Sequence, residues 1–275
     1  MVINDALKNG AQLLKKVSDV PLLESRILLE HALSCDRLSL IKKGGAEISP
    51  YDAERFMTLV SQRLSGRPIS YITGHKEFMG LDFYVNENVL IPRPDTETLA
   101  EYAIGTGKRR ILDIGTGSGA LAVSLAKLVE GSDVSAVDIS PRALSVAEKN
   151  ARENGAAVRF SRLDILSEKI PGEYDLIVSN PPYIKDSVIP TLDTTVKDFE
   201  PRLALSGGED GLKFYREITK KAPAALCDGG ILAFEIGYDQ GEAVSRIMAE
   251  GFKDIKIIKD LAGCDRVVAG EKRDL

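Results

Sequence analysis

A glycine-rich segment, DIGTGSG at residues 113–119, has the composition of a ligand-binding turn. Glycine permits a tight turn and lets backbone amides approach a bound molecule closely. Asp138 ends the next apolar run, and a carboxylate at that place can accept hydrogen bonds from both hydroxyls of a ribose. Many glycine loops only pack a helix against a sheet, but the coincidence with Asp113 and Asp138 favours a nucleoside cofactor.

Two nucleoside cofactors fit this spacing, NAD and S-adenosylmethionine. NAD requires a turn that seats a pyrophosphate at a helix N-terminus, and Ala120 is tolerated at the last position of that turn. Asp113 discriminates between the two, because a carboxylate just before the loop opposes a pyrophosphate and suits a cationic amino group. The sequence therefore favours S-adenosylmethionine.

The tetrapeptide Asn180-Pro181-Pro182-Tyr183 follows the apolar run YDLIVS. Ligands of α/β sheets bind at the carboxyl ends of parallel strands, so we expect this tetrapeptide beside the glycine loop. The two prolines stiffen the backbone and remove two amide donors, which leaves the carbonyls of Asn180 and Pro181 as acceptors. The Asn180 side-chain oxygen and the Pro181 carbonyl can hold both hydrogens of a planar NH₂ group, and Tyr183 offers a flat face.

This arrangement suits a weakly nucleophilic amide or aromatic amine nitrogen. Holding both N–H bonds directs the nitrogen lone pair toward a methyl sulfonium and favours the partly cationic nitrogen of the transition state. Positioning dominates such chemistry, so no metal and no covalent intermediate is required. The alternative, a loop that the prolines merely stiffen, is disfavoured by the position of the tetrapeptide at the mouth of the sheet.

The first segment of the chain has a helical period. Residues 1–67 repeat apolar side chains at a spacing near 3.6 and are expected to form a small helical bundle domain. Ser18 or Asp19 is expected to cap the second helix, and Ser49 the third.

The rest of the chain has a different pattern. Residues 68–92 are rich in β-branched and aromatic residues, and Gly80 predicts the turn of a β-hairpin connector. In residues 93–275 strands alternate with helices, which implies a parallel sheet covered on both faces. The last two strands are too close for a helical crossover and must be antiparallel. We therefore expect an α/β fold built on a seven-stranded Rossmann-like sheet with one reversed strand.

Polar residues elsewhere form no recognisable catalytic set. The two histidines have no nucleophile pattern around them, and no metal site is expected. Glu235 and Asp239 are expected on a polar rim, and Glu209 and Asp210 at the start of a helix, where carboxylates favour the helix dipole.

Composition limits the functional classes. The chain has 275 residues with 44% hydrophobic and 28% charged residues, which is ordinary for a globular protein. It has no apolar run long enough for a membrane span, no signal-peptide pattern, and three scattered cysteines, so we expect a cytoplasmic protein. The net charge of −5 divides into +2 for residues 1–75 and −7 for residues 76–275, and this acidic larger part disfavours stable binding to nucleic acid.

The sequence resembles the protein-(glutamine-N5) methyltransferases that modify peptide chain release factors. The motifs that carry the resemblance cover most of the chain after residue 67 and are RPISYITGHKEF (67–78), VLIPRPDTE (89–97), LDIGTGSG (112–119), VDIS (137–140), VSNPPYI (178–184) and EPRLALSGGEDGL (200–212). The helical N-terminal part is similar to the release-factor-binding domain of that family in a general way. Residues 93–275 are similar to its class I catalytic domain.

The resemblance implies methyl transfer from S-adenosylmethionine, with S-adenosylhomocysteine as product, to the side-chain nitrogen of the glutamine in a Gly-Gly-Gln loop of class 1 release factors. In the family the glycine loop contacts the methionine part, Asp138 the ribose, and Asp164 and Ile165 the adenine. The implied cofactor-binding residues are Asp113, Gly115, Thr116, Gly117, Ser118, Gly119, Asp138, Ile139, Asp164, Ile165 and Asn180. The implied glutamine-binding residues are Asn180, Pro181, Pro182 and Tyr183, of which Asn180, Pro181 and Tyr183 are expected to be catalytic.

The sequence departs from the family pattern at one position of the expected cofactor site. Several relatives carry an aromatic residue at the position of Ile165, so an aliphatic side chain there offers adenine apolar contact instead of stacking. Arg93, Asp95 and Thr96 match a segment that shapes the cofactor pocket, without individual roles.

Three other functions remain as alternatives. The tetrapeptide would serve an amino-methyltransferase acting on DNA or RNA bases equally well, although the acidic body and the absence of a basic insert disfavour it. A non-catalytic cofactor-binding scaffold is disfavoured by the intact tetrapeptide. A nicotinamide-dependent dehydrogenase is disfavoured by Asp113.

Overall fold

The computed structural model describes residues 1–273. The helices are α1 (Ile3–Leu14), α2 (Pro21–Leu33), α3 (Arg37–Lys42), α4 (Pro50–Leu64), α5 (Ile69–Thr73), α6 (Thr96–Gly105), α7 (Ala120–Leu128), α8 (Pro141–Glu153), α9 (Thr194–Lys197), α10 (Lys213–Lys221) and α11 (Gly241–Met248). The strands are β1 (His75–Phe78), β2 (Leu81–Tyr84), β3 (Arg110–Ile114), β4 (Asp133–Asp138), β5 (Val158–Arg162), β6 (Tyr174–Ser179), β7 (Leu226–Glu235), β8 (Phe252–Lys259) and β9 (Asp265–Lys272).

The described residues divide into two structural units. One contains residues 1–74 and 193–199, and the other contains residues 75–192 and 200–273. The last two residues of the predicted catalytic domain 93–275, Asp274 and Leu275, lie outside the described residues.

The first unit is a helical bundle around its own core. Residues that share the buried face of α1, α2 and α4 pack together, and they include Ala6, Leu14, Leu28, Leu29, Phe56 and Val60. Ser49 caps α4 as expected, since its hydroxyl oxygen accepts a hydrogen bond from the Asp52 amide. The predicted cap of α2 is wrong, because Val20 is the N-cap residue and makes no side-chain capping bond. Pro21 begins that helix instead, with its φ already in the helical range.

The helix α5 lies in the segment that was expected to be rich in strand. Its β-branched residues favour a strand only weakly, and the local backbone signals outweigh them. Pro68 precedes the helix with φ −58°, and Gly74 ends it with a left-handed φ of 75°. The predicted hairpin is shorter as a result, and β1 and β2 pair as antiparallel strands on either side of Met79 and Gly80.

The second unit contains a seven-stranded sheet within the described residues, in the order β5-β4-β3-β6-β7-β9-β8. The strands β3, β4, β5, β6 and β7 all run parallel to one another. Strand β9 is antiparallel to both β7 and β8. The predicted Rossmann-like sheet with one reversed strand is therefore confirmed. Buried apolar side chains form two clusters in this unit, one with α6 and α7 and one with α10 and α11, as expected for a doubly wound sheet.

The strand order reverses at β3, because the chain runs outward through β4 and β5 and then returns to add β6 on the other side. A crevice forms at such a switch point beyond the carboxyl ends of the strands. Among the helices of residues 1–273, none combines the length and apolar character that a membrane span requires.

Candidate active site

A cavity opens at the carboxyl ends of β3, β4 and β6 in the second unit. It encloses about 970 Å³ including its open mouth, which is within the range of small-molecule sites. Its lining includes these predicted site residues: Gly115, Gly117, Asp138, Ile139, Asp164, Ile165, Asn180, Pro181 and Pro182. The sheet therefore brings together segments that are more than sixty residues apart in the chain.

Other lining residues were not predicted from the sequence. The segment before α6 and the segment before α10 each contribute one wall, and their lining residues are Asn88, Val89, Leu90, Pro201, Leu203 and Ala204. Phe214 and Ile218 of α10 also contribute to the apolar part of the lining. Phe214 supplies the cavity with an aromatic side chain, although the position of Ile165 carries none.

Asp138 at the end of β4 is held by the backbone on both sides. Its Oδ2 accepts a 2.9 Å hydrogen bond from the Gly117 amide, and its Oδ1 accepts one of 2.9 Å from the Ser140 amide. Burial raises the pKa of Asp138, and the hydrogen bonds from Ser140 and Gly117 oppose that effect. The carboxylate is therefore oriented within the cavity wall and keeps lone pairs for a ligand hydroxyl.

The glycine loop ends in close contact with α8. Gly119 has φ +79°, and a Cβ built there would lie 2.9 Å from the Ala147 Cβ and 3.1 Å from its Cα. A side chain at this position would push α8 away from the loop. The third glycine therefore serves helix packing, while Gly115 and Gly117 face the cavity.

Asp113 lies behind the cavity wall. Its side chain is only 2% exposed, and its Oδ2 accepts a 2.7 Å hydrogen bond from the Thr116 hydroxyl. Burial raises the pKa of Asp113 to about 7, and the Thr116 hydrogen bond opposes that rise. Thr116, Ser118 and Gly119 are also buried and do not line the cavity, within the part of the chain that the structure describes. Together with Asp113, these residues shape the glycine loop from behind the cavity wall.

Asp164 and Ile165 follow β5, which ends at Arg162. Hydrogen bonds from Ser167 and the Leu166 amide lower the pKa of Asp164 and fix the turn. The Lys221 ammonium donates to the Ile165 carbonyl from the end of α10. These contacts place an aliphatic side chain and a carboxylate side by side in the cavity.

The tetrapeptide follows β6, as predicted. The Asn180 Nδ2 donates a 3.1 Å hydrogen bond to the Thr96 Oγ1, while the Asn180 Oδ1 accepts none from the described residues. The Tyr183 hydroxyl lies 3.4 Å from Glu235 Oε1 and donates to it. Asn180, Pro181 and Pro182 line the cavity, whereas Tyr183 stands behind them.

The glycines of residues 206–211 support the backbone of the tetrapeptide. A Cβ at Gly211 would lie 2.5 Å from the Tyr183 carbonyl oxygen, and one at Gly207 would lie 2.8 Å from the Tyr183 Cα. The Gln240 Nε2 donates a 3.2 Å hydrogen bond to the same Tyr183 oxygen. Only glycine allows this close approach of two backbone segments.

The expectation that Glu235 lies on a polar rim is wrong. Glu235 is 1% exposed, and burial raises its pKa to about 7, against the effect of a Thr96 hydrogen bond. Asp239 is exposed, as expected. The expected helix start at Glu209 and Asp210 is also displaced, since α10 begins at Lys213 and the Asp210 carboxylate accepts from the Leu212 amide before it.

Arg93 and Glu200 form an ion pair between the two segments that wall the cavity. The Glu200 side chain is 1% exposed, so burial raises its pKa and the Arg93 guanidinium opposes the rise. The pair joins the segment that follows Leu90 to the one that precedes Pro201. This contact assigns a local role to Arg93 in shaping the cavity.

The chemistry of the lining separates the two candidate cofactors. Two carboxylates, Asp138 and Asp164, line the cavity, and no lysine or arginine does among the described residues. A pyrophosphate would meet these carboxylates without a cationic partner, whereas a cationic sulfonium and a ribose diol would be favoured. The donor set therefore fits S-adenosylmethionine better than NAD.

The fold and the site together define a methyltransferase with a Rossmann-like sheet. Residues 95–199 match the family model described as Methyltransferase small domain. Residues 5–74 match the model described as PrmC N-terminal domain.

The chain belongs to the release factor glutamine methyltransferase family. It is 43% identical to the release factor glutamine methyltransferase of Clostridium acetobutylicum over 278 residues, which covers 98% of each chain. It is 42% identical to the protein of the same name from Neisseria gonorrhoeae, with 93% of this chain and 95% of the relative covered. The resemblance seen in the motifs is thereby confirmed over nearly the whole length.

Solved structures agree with the fold. A methyltransferase from Pyrococcus furiosus matches with a TM-score of 0.54 at 19% identity, covering 78% of this chain and 98% of that one. The hMettl16 catalytic domain, solved with an RNA hairpin, matches with a TM-score of 0.59 at 16% identity, covering 81% of this chain and 82% of that one. At these identities the likeness supports the fold alone.

Proposed function

We propose that this protein transfers a methyl group from S-adenosylmethionine to the side-chain nitrogen of glutamine in the Gly-Gly-Gln motif of class 1 peptide chain release factors. The observation that carries the proposal is the Asn180 side chain. Its Nδ2 is engaged with Thr96, and its Oδ1 is left as an acceptor at the cavity. The names of the full-length relatives supply the substrate class.

The cofactor would be held by the residues that the resemblance implies. Asp138 would accept from the ribose hydroxyls, Gly115 and Gly117 would lie against the methionine part, and Ile139, Asp164 and Ile165 would surround the adenine. Asp113, Thr116, Ser118 and Gly119 would hold the loop in shape from behind the cavity wall. When bound, the cofactor supplies an electrophilic methyl group and leaves as S-adenosylhomocysteine.

The tetrapeptide would position the glutamine amide. The Asn180 Oδ1 and the Pro181 carbonyl would each accept one N–H bond, and these contacts would strengthen as the nitrogen gains positive charge. Two prolines keep these acceptors fixed, so little reorganisation accompanies the reaction. Tyr183 would contribute through the hydroxyl that it directs to Glu235.

The helical unit would bind the release factor. Four large apolar side chains are exposed there: Leu22 is 59% exposed, Leu38 64%, Ile41 67% and Tyr51 72%. Contiguous exposed apolar patches mark protein-binding surfaces, and Leu38 and Ile41 lie one turn apart on α3. We keep residues 1–67 as the partner-binding domain, 68–92 as the connector and 93–275 as the catalytic domain. Because release factors work at the ribosome, the reaction belongs in the cytoplasm.

Tandem mass spectrometry tests this function directly. The purified chain would be incubated with S-adenosylmethionine and a class 1 release factor, and peptides would be mapped. One added methyl group on the glutamine of the Gly-Gly-Gln motif is the expected result. A release factor in which alanine replaces this glutamine is the matched control and should not be methylated in this motif. Cofactor binding without any methylated glutamine would contradict the substrate, and methylation of an oligonucleotide instead would favour the base-modifying alternative.

A further inference from the structure

A chain of buried polar groups runs from Asn180 away from the cavity. Thr96, at the first position of α6, is 7% exposed and accepts the 3.1 Å hydrogen bond from Asn180 Nδ2. Glu235, at the end of β7, is 1% exposed, and the Thr96 side chain affects its pKa. Asn180, Thr96 and Glu235 thus come from three separate segments of the sheet unit.

The direction of these hydrogen bonds follows from counting donors. A threonine hydroxyl has one proton, and no described acceptor other than Glu235 takes it from Thr96. Glu235 Oε2 is buried and accepts from no described donor within ordinary hydrogen-bond geometry. Hydrogen bonding from the Thr96 side chain lowers the pKa of Glu235, so the Glu235 carboxylate is the acceptor available to the unused Thr96 proton.

We infer that Glu235 is a positioning residue, which takes the Thr96 hydroxyl proton and thereby fixes the Asn180 amide with its oxygen toward the methyl-accepting nitrogen. The inference rests on the proposed function for the identity of that nitrogen. An asparagine amide is nearly symmetric in shape, so only its hydrogen-bond partners decide which end faces the substrate. An ionised Glu235 carboxylate can only accept hydrogen bonds, so the Thr96 hydroxyl must donate to it. The Asn180 Nδ2 must then face Thr96, and the Asn180 Oδ1 faces the substrate.

Protonation of Glu235 would permit the opposite arrangement. A neutral carboxyl can donate to Thr96, whose own proton is then free to point at Asn180. The amide would turn to accept it, and its NH₂ group would face the glutamine NH₂ group. Two donors facing each other cannot form a hydrogen bond, so this form would not position the substrate.

The surroundings of Glu235 include four other titratable groups. Asp95 raises the pKa of Glu235, and Arg266 lowers it, from the start of α6 and from β9. Tyr183 donates to Glu235 Oε1, and the Tyr215 hydroxyl donates a 2.9 Å hydrogen bond to the Glu235 carbonyl oxygen. Burial dominates among these effects and raises the pKa to about 7, so the switch falls in the pH range of an ordinary assay.

The first experiment tests the hydroxyl. Thr96→Val removes it at constant shape, and we expect kcat for glutamine methylation to fall about 10–100-fold, as for loss of a supporting partner of an active-site ligand. The Kd of S-adenosylmethionine should change less than threefold. Thr96→Ser restores the hydroxyl and should recover most of kcat. Thr98→Val makes the same change on the same helix without a described side-chain hydrogen bond and serves as the control.

The second experiment tests the carboxylate by its pH profile. For the wild type we expect kcat to rise through an apparent pKa near 7, because the ionised form of Glu235 is the active one. Glu235→Gln should have a lower kcat that is flat between pH 6 and 8. The exposed Glu250→Gln should keep the wild-type profile. If kcat of Glu235→Gln still fell as the pH was lowered from 8 to 6, the inference would be overturned.

A third measurement does not depend on activity. In the ligand-free chain, the side-chain amide resonances of Asn180, identified by their loss in Asn180→Ala, should titrate with a midpoint near 7 and stop titrating in Glu235→Gln. If the chemical shifts of these resonances did not change with pH in the wild type, the inference would be overturned even if the enzyme were active. If the wild type methylates no release factor, the proposed function fails, while this titration still decides the role of Glu235.

Discussion

The Asn150 Nδ2 donates a 2.8 Å hydrogen bond to the Ser118 carbonyl oxygen, inside the glycine loop. Asn150 is fully buried in α8, and its amide also exchanges hydrogen bonds of 2.8 Å and 3.0 Å with the backbone of Tyr84. One side chain thus joins the β-hairpin to the glycine loop. The hairpin therefore has a structural part in the site besides its place in the chain.

Replacing this amide should loosen both partners. Asn150→Leu leaves three backbone groups without their partner, so we expect a loss of roughly 2–4 kcal/mol in the free energy of unfolding. The Kd of S-adenosylmethionine should rise because the loop is less well fixed. Urea denaturation and calorimetric titration measure the two effects. Asn154→Leu, near the end of α8, removes an exposed hydrogen bond to the Asp82 carbonyl and a partly buried one to the Asn150 carbonyl, and should cost about 1 kcal/mol or less.

Asn180→Ala should separate catalysis from cofactor binding. The variant loses the side-chain acceptor for the glutamine amide, and we expect kcat to fall by roughly 10²–10³. The Kd of S-adenosylmethionine should change little, since other residues make most of the cavity lining. Transfer of labelled methyl in single turnovers is the measurement. Full activity would show that Asn180 does not hold the substrate.

Gly119→Ala should be more damaging than Gly115→Ala. Both positions have positive φ, which strains any side chain, but only the Cβ at Gly119 would meet Ala147, at 2.9 Å. We expect a loss of about 1–3 kcal/mol for the strain alone and a greater loss at Gly119. Urea denaturation measures the free energy of unfolding of each variant. Equal losses in the two variants would show that α8 can shift to make room for the added methyl group at no energetic cost.

Asp113 should make stability fall as the pH rises. Its folded pKa of about 7 lies above the ordinary value of 3.8, so the folded state favours the protonated carboxyl. The corresponding stability is complete below pH 3.8 and is lost as the pH rises through 7. Asp113→Asn should therefore flatten the pH dependence of the free energy of unfolding between pH 4 and 7.5.

Two comparisons support that measurement. Asp228→Asn, at an exposed carboxylate, should leave the pH dependence unchanged. Burial also raises the pKa of Glu235 to about 7, so Glu235 likewise makes the free energy of unfolding fall as the pH rises. The slope of the free energy of unfolding against pH should therefore be smaller in Asp113→Asn than in the wild type, but not zero. A slope equal to that of the wild type would contradict the burial argument.

Ile41→Glu should weaken docking of the release factor. Ile41 is 67% exposed on α3, beside the equally exposed Leu38, so a charge there should cost the fold little. We expect KM for the release factor to rise about tenfold with the Kd of S-adenosylmethionine unchanged. Ile257→Glu, on β8 of the other unit, is the matched control. An unchanged KM would place the docking surface elsewhere.

The sequence by itself determined the features that depend on local rules. Short apolar runs that alternate with helical segments indicated the strands of the sheet, and the glycines of residues 113–119 marked the turn after β3. Carboxyl ends of parallel strands converge at a switch point, so Asp138 and Asn180 could be expected at one cavity. The resemblance then supplied the substrate class, which no local rule contains.

Only the tertiary structure decided which polar groups are buried and which partners they have. Glu235 looked like a rim residue because its burial depends on β9 and α10, which lie apart from it in sequence. The partners of Asn150 and of Asn180 are 66 and 84 residues away, so no spacing rule could indicate them. Helix α5 likewise depended on Pro68 and Gly74 outweighing a weak strand preference. Burial and hydrogen-bond direction are properties of packed neighbours, and those neighbours exist only once the chain has folded.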